Sequence, residues 1–163
     1  MFNEQAKSLL ENLFSGGRYP HALLLEGPSG CGKTVCAIHT AARILCQEDN
    51  RPCGQCLSCR KAFQGNHPDI LLVEKESGRQ QIGVDTVRAI RSAAYILPNE
   101  SQRKVIILKN AQDMNVNAQN ALLKILEEPP SHCIFILTVV NRTQLLPTIL
   151  SRVTPVPLAV PTP

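Results

Sequence analysis

The 163-residue chain is 44% hydrophobic and carries a formal charge of +4 at neutral pH, which suits one compact domain and is too mild to argue for nucleic acid by itself. Tryptophan is absent and aromatic residues make up 4%, so few rings are available for stacking unpaired bases. No apolar run nears the roughly 20 residues of a membrane helix, and Glu4, Lys7 and Glu11 break any signal-peptide layout, so a cytoplasmic location is expected, with the seven cysteines reduced or bound to metal rather than paired as disulfides.

From the amino terminus, Phe2, Ala6, Leu9, Leu10, Leu13 and Phe14 recur at helical spacing and Gly16-Gly17 would end that helix. The apolar run Ala22–Leu25 predicts a strand, followed by a glycine-rich turn and a helix over Thr34–Leu45. Gln47–Arg60 is polar and cysteine-rich, and reads as a compact insert. A strand over Ile70–Val73 follows, then a helix from Gly83 through Tyr95 with Val84, Val87, Ile90, Arg91 and Ala94 along one side and Asp85 as its cap. Val105–Leu108 and Cys133–Leu137 are unbroken apolar runs of the kind found where both faces of a parallel sheet are covered. Between them a helix over Val116–Glu128 is stopped by Pro129-Pro130, and beyond Arg152 the chain is proline-rich, with Pro155, Pro157, Pro161 and Pro163. Alternating strands and helices predict a doubly wound α/β sheet.

Gly27-Pro28-Ser29-Gly30-Cys31-Gly32-Lys33-Thr34 fits G-x-x-x-x-G-K-[ST] between a strand and a helix, the context that gives such a match weight. Backbone N–H groups around Gly27, Gly30 and Gly32 and the following helix start would cradle phosphate, Lys33 would reach the outer phosphates, and Thr34 would hold Mg2+. ATP or GTP is the expected ligand. Hydrolysis needs more: a carboxylate at the end of a second strand to hold Mg2+, and commonly another acid beside it. Here Val105–Leu108 runs into Lys109-Asn110, and Asp113 falls about one turn later. The sequence thus offers a phosphate cradle with a damaged catalytic half.

Cys46, Cys53, Cys56 and Cys59 place four thiols around the polar insert. Four thiolates close a tetrahedral site, which leaves no open position for water and makes zinc structural rather than catalytic. The usual iron–sulfur run has a further downstream cysteine, often before a proline, which is missing here; unligated thiols are the remaining alternative. Such a metal would fold an otherwise coreless segment. Cys31, Cys36 and Cys133 lie in apolar surroundings and read as small buried hydrophobes.

His21–Gly27 leading into the phosphate loop, the four-cysteine insert, Asn120-Ala121-Leu122-Leu123-Lys124-Ile125-Leu126-Glu127-Glu128-Pro129-Pro130 and Thr148-Ile149-Leu150-Ser151-Arg152 together resemble, in order and over nearly the whole chain, the AAA+ clamp-loader subunits of bacterial DNA polymerase III. The resemblance implies an AAA+ P-loop nucleotide fold over 1–163, a parallel sheet flanked by helices with a small zinc-binding insert at 46–60, while the family's lid and collar domains lie outside this chain. It also implies an arginine finger at Arg152, reaching the ATP of a neighbouring subunit, although Val153 replaces the family's cysteine. A polar sensor residue should fall within Thr138–Asn141. Lys109-Asn110, in place of the motor subunits' acidic pair, aligns the chain with delta-prime-type subunits. The implied partners are the gamma/tau- and delta-type subunits, the sliding clamp and, through the complex, primer-template DNA, with the chain's own ATPase weak or absent. The alternatives are an active gamma/tau-type motor subunit, a P-loop small-molecule kinase with a zinc lid, and a zinc-dependent DNA-binding module. The last would need more basic residues near its cysteines than Arg51, Arg60 and Lys61.

Overall fold

The computed structural model describes residues 4–15 and 19–158; Phe2, Gly16, Gly17, Pro161 and Pro163 lie outside them. In chain order the elements are α1 (Glu4–Phe14), β1 (Ala22–Glu26), α2 (Lys33–Leu45), α3 (Leu57–Gln64), β2 (Ile70–Val73), α4 (Val84–Tyr95), β3 (Lys104–Leu108), α5 (Val116–Glu127), β4 (Cys133–Val139), α6 (Pro147–Leu150) and β5 (Thr154–Pro157). The five strands form one parallel sheet in the order β2-β3-β4-β1-β5.

Alternation along the strands divides the core into two layers. Leu24, Ile106, Phe135 and Leu137 face one way and pack with Val87, Ile90, Leu122 and Ile125 of α4 and α5. Leu23, Leu25, Val105, Ile107, Ile134 and Ile136 face the other way and pack with Ala6, Leu10 and Phe14 of α1 and Cys36, Ala37 and Ala41 of α2. Burial on both faces is why these strands read as continuous apolar runs, and every residue of β3 and β4 is buried. Cys31, Cys36 and Cys133 are buried within these layers, as expected for small hydrophobes. The helix after β1 covers one face and the helices flanking β3 cover the other. The carboxyl end of β1 and β4 is therefore the point where connections diverge, which is where such sheets bind ligands.

Four expectations change. The proline-rich tail forms a fifth strand: β5 pairs with β1 through Leu23↔Thr154 to Glu26↔Pro157, and it tolerates Pro155 and Pro157 because it is an edge strand. The insert is not wholly irregular, since its last residues open α3, whose amino terminus is capped by Cys56 Sγ accepting the Cys59 N–H. Asp85 does not cap α4: extended Gly83 holds that position without a side-chain bond, and the Asp85 carboxylate lies 3.6 Å from Arg88 in solvent, where it complements the helix dipole. Arg91 is exposed rather than part of the buried stripe of Val87, Ile90 and Ala94.

Candidate functional site

The phosphate loop joins β1 to α2 at the carboxyl end of the sheet. Gly30 and Gly32 adopt φ of 81° and 91°, a region costly for residues with a Cβ. Gly27 is needed for a different reason: a Cβ there would lie 2.6 Å from Cys31 Sγ and 2.7 Å from the Leu158 carbonyl oxygen. The loop folds so tightly that the buried Lys33 ammonium donates to the carbonyls of Gly27 and Pro28. A desolvated cation whose partners are two neutral carbonyls, in a loop whose glycines take positive φ, is a donor that fits phosphate oxygens. Thr34, half-buried in the first turn of α2, stands next to it with the hydroxyl suited to Mg2+.

The residues directly after β3 are Lys109 and Asn110, neither of them acidic. β3 ends at Leu108; Lys109 then pairs with Glu74 at 3.5 Å, and Asn110 takes a left-handed φ of 57° with its N–H donating to buried Thr138 Oγ1 at 2.8 Å. Asp113 ends the 3₁₀ turn Ala111–Asp113 that follows. Within the stretch expected to hold a sensor, Thr138 is therefore engaged with Asn110, Val139 is buried, Val140 is exposed, and Asn141 caps the turn Arg142–Gln144.

One charged pair beside the loop was not apparent from sequence. Glu26, the residue before Gly27, accepts the Arg142 backbone N–H at 2.6 Å and its Nε at 2.9 Å, with a second guanidinium nitrogen at 2.7 Å. The hydrogen-bonded Arg142 guanidinium holds the Glu26 carboxyl below its ordinary value, against a smaller opposing effect of burial. The pair fastens the ends of adjacent strands β1 and β4 just beneath the phosphate loop.

Arg152 lies at the other end of the sheet. It follows α6 and precedes β5, and the parallel register Leu23↔Thr154 sets it level with the residues ahead of β1. Six residues separate that level from Gly27, about 20 Å at about 3.3 Å per residue. Its guanidinium lies 3.1 Å from Glu127 and lines a cavity of about 710 Å3 with His21, Glu128, Pro129 and Thr154. The exposed end of the Asn120–Pro130 string and the Thr148–Arg152 string thus meet in one place.

Cys46, Cys53, Cys56 and Cys59 come together with all four sulfurs within 4.8 Å of one another. The Cys53–Cys59 and Cys56–Cys46 sulfur separations are 3.9 and 4.0 Å, close to the roughly 3.8 Å edge of a thiolate tetrahedron with bonds of about 2.3 Å. The residues present could hold one metal ion. Cys46 closes α2 and Cys59 sits in the first turn of α3. Backbone N–H groups of Cys56 and Gln55 donate to Cys53 Sγ at 3.2 and 3.4 Å and draw that thiol down to about 7, whereas burial pushes Cys59 up to about 12.

A buried polar cluster, also unanticipated, ties this insert to the sheet. Asp69 is fully buried and accepts the N–H groups of Asn99, Glu100 and Ser101. Burial alone would raise its pKa, but the three donors and neighbouring His67 outweigh it and keep the carboxyl below its ordinary value. His67 Nδ1 accepts the Asp69 N–H at 3.0 Å, so its Nε2 lies 3.3 Å from Ser58 Oγ of α3 as the donor. The signal present in sequence was His67-Pro68-Asp69 ahead of a strand.

A family model described as DNA polymerase III, delta subunit, matches residues 2–162. The chain belongs to that family. It is 43% identical over 141 residues to DNA polymerase III subunit delta' of Pseudomonas aeruginosa, across 84% of this chain and 43% of that protein. With DNA polymerase III subunit tau of Bacillus subtilis it shares 35% over 151 residues, 91% of this chain and 26% of the relative. The chain therefore spans less than half the length of these relatives. Among solved structures, a DNA polymerase III gamma subunit-related protein from Thermotoga maritima superposes with a TM-score of 0.69 at 26% identity, covering 98% of this chain and 47% of the other. The parallel sheet and phosphate loop are those of AAA+ P-loop proteins, and the family match is of delta-prime type. Among the described residues, no helix is long and apolar enough to cross a membrane.

Proposed function

We propose that the chain is the nucleotide-fold part of a delta-prime-type clamp-loader subunit that assists ATP-dependent loading of the sliding clamp onto DNA in replication, and that it contributes Arg152 to the ATP site of a neighbouring subunit. The observation that carries this reading is the position of Arg152, about 20 Å along the sheet from the chain's own phosphate loop. A guanidinium so placed cannot stabilise charge on a phosphate held by Lys33, yet it is exposed for a second molecule. Its ion pair with Glu127 orients it until a phosphoryl group replaces the carboxylate.

On this reading the chain's own loop, Gly27, Gly30, Gly32, Lys33 and Thr34, holds ATP with Mg2+ but turns it over weakly or not at all, because Lys109 and Asn110 stand where the acids would. Cys46, Cys53, Cys56 and Cys59 hold a structural Zn2+, which would supply folding energy to the insert. The partners are gamma/tau- and delta-type subunits, the clamp, and primer-template DNA through the assembled complex.

The test is steady-state ATP turnover and clamp loading by the reconstituted complex. Arg152→Ala is expected to reduce turnover at the one site it reaches by about 10³-fold, while Lys33→Ala leaves turnover by the other subunits intact. Brisk turnover by this chain, lost on Lys33→Ala and untouched by Arg152→Ala, would overturn the reading in favour of a gamma/tau-type motor. That second reading is favoured by the intact phosphate loop and the likeness to tau.

A further inference from the structure

Three arginines converge on one pair of aromatic rings at the amino end of the sheet, on its α1–α2 side. The Phe14 and Tyr19 ring centroids lie 5.1 Å apart at 50°. Arg43, in the last turn of α2, sits 5.7 Å over the Phe14 ring, and Arg103, just before β3, sits 4.6 Å over Tyr19. Arg51, from the cysteine insert, donates to the Tyr19 hydroxyl at 2.9 Å and to the Glu48 carbonyl at 2.8 Å, while Arg43 donates to the Arg51 carbonyl at 3.4 Å. Every one of these partners is neutral. Among the described residues no carboxylate lies within 4.0 Å of any of the three guanidiniums. Lys7 adds a fourth cation to the cavity that Arg43 and Arg51 line, where Glu11 is the sole acid.

Gathering like charges without a carboxylate in contact is unfavourable by itself. Aromatic faces and carbonyls fix the guanidiniums in place, so little side-chain freedom remains to be lost on binding. Most of their fifteen or so N–H donors, about five per guanidinium, have no partner among the described residues. The arrangement fits a ligand that brings several negative charges with paired oxygens.

We propose that Arg43, Arg51 and Arg103 bind the phosphodiester backbone of nucleic acid without reading its bases. A protein partner would need an apolar anchor, but Phe14 is buried, Leu10 and Ile44 in the adjoining walls are buried, and none of the exposed large hydrophobic side chains lines this surface. Base stacking is blocked as well, since the Tyr19 face carries Arg103. The proposal rests on the preceding functional reading only for the presence of DNA near the chain.

The test is a fluorescence titration of labelled single-stranded and duplex DNA with the full chain between 50 and 200 mM salt. The variant Arg43→Gln/Arg51→Gln/Arg103→Gln is compared with Lys75→Gln/Arg79→Gln/Arg88→Gln, which removes equal charge elsewhere. Weakening of about tenfold or more in the first variant and under about twofold in the second is expected, with the log–log salt slope falling by about 0.9 for each phosphate that is no longer neutralised. If the triple variant does not fold, the single exposed change Arg51→Gln must weaken binding by about threefold. Equal losses in both triple variants, no binding by the unaltered chain, or competition by polyglutamate or inorganic polyphosphate as strong as by unlabelled DNA would overturn the proposal. None of these outcomes depends on whether Arg152 acts on a neighbour's ATP.

Discussion

The two ends of the sheet are built to different standards. At the carboxyl end the phosphate loop is complete in glycines, lysine and threonine, yet the neighbouring strand ends in a lysine that is ion-paired to Glu74 and an asparagine whose N–H is bound by Thr138. At the amino end there is no nucleotide loop, but Arg152 is exposed beside a large cavity, three more arginines surround an aromatic pair, and the cysteine cluster is anchored there through Cys46 at the end of α2. Arg152, the three clustered arginines and the four cysteines therefore collect at the end away from the chain's own phosphate loop. A fold inherited with a catalytic pocket has become, on the proposed reading, a donor to other molecules.

Metal removal is the severest way to test the amino end. Chelation, or Cys59→Ser, is expected to abolish bound zinc and unfold the insert, since structural zinc contributes on the order of 10 kcal/mol of apparent binding energy in small modules. Metal analysis and hydrogen exchange would show loss of protection in α3 with β3 and β4 retained; a metal-free protein with unchanged protection would refute it. Arg152→Ala comes next: a change of about 10³-fold in the complex should coincide with a stability change of only about 0.5 kcal/mol in the chain. A melting curve for the variant separates a role in trans from a structural one.

Asp69→Asn should cost about 1–3 kcal/mol at pH 7, because an amide cannot accept three backbone donors as a carboxylate does. It should also flatten the acid limb of the stability profile. The sign follows from depressed values: Asp69 and Glu26 have folded pKa values below their ordinary 3.8 and 4.5, so their stabilisation is present above those values and is lost as pH falls through the folded ones. His67, lowered from 6.5 chiefly by burial, adds stability that is present above 6.5 and lost as pH falls towards its depressed value. Urea midpoints from pH 3 to pH 7 would show all three. The mildest change probes the carboxyl end: Lys109→Asp with Asn110→Glu should raise ATP turnover by about tenfold, roughly 1.4 kcal/mol in barrier, if the missing acids are the loop's main lesion. No gain would mean that the pocket is impaired elsewhere.

The legible parts of the sequence were those whose physics is local. β1, β3 and β4 stood out because both faces are buried, and the phosphate loop and cysteine spacing because nearby residues must act together. β5 was hidden by Pro155 and Pro157, which weaken any strand signal unless the strand is known to lie at an edge. Part of α3 was masked by cysteines that serve a cluster and a cap at once. Glu26 and Arg142 lie 116 positions apart and become partners only after the order β4-β1 is fixed. The Arg43–Phe14–Tyr19–Arg103 arrangement likewise draws on four separate segments, so no spacing rule could have assembled it.

The prolines of β5 also govern how this molecule can meet others. The Leu158 N–H donates to Glu26, so by alternation the positions of β5 facing away from β1 are Pro155 and Pro157, neither of which has an N–H to offer. A strand arriving at that edge would find acceptors without donors. An open sheet edge offers both donors and acceptors to a second strand and so invites stacking of similar chains. At β5 the ladder is closed on the donor side, so a chain approaching that edge would meet it through side chains rather than through a continued sheet.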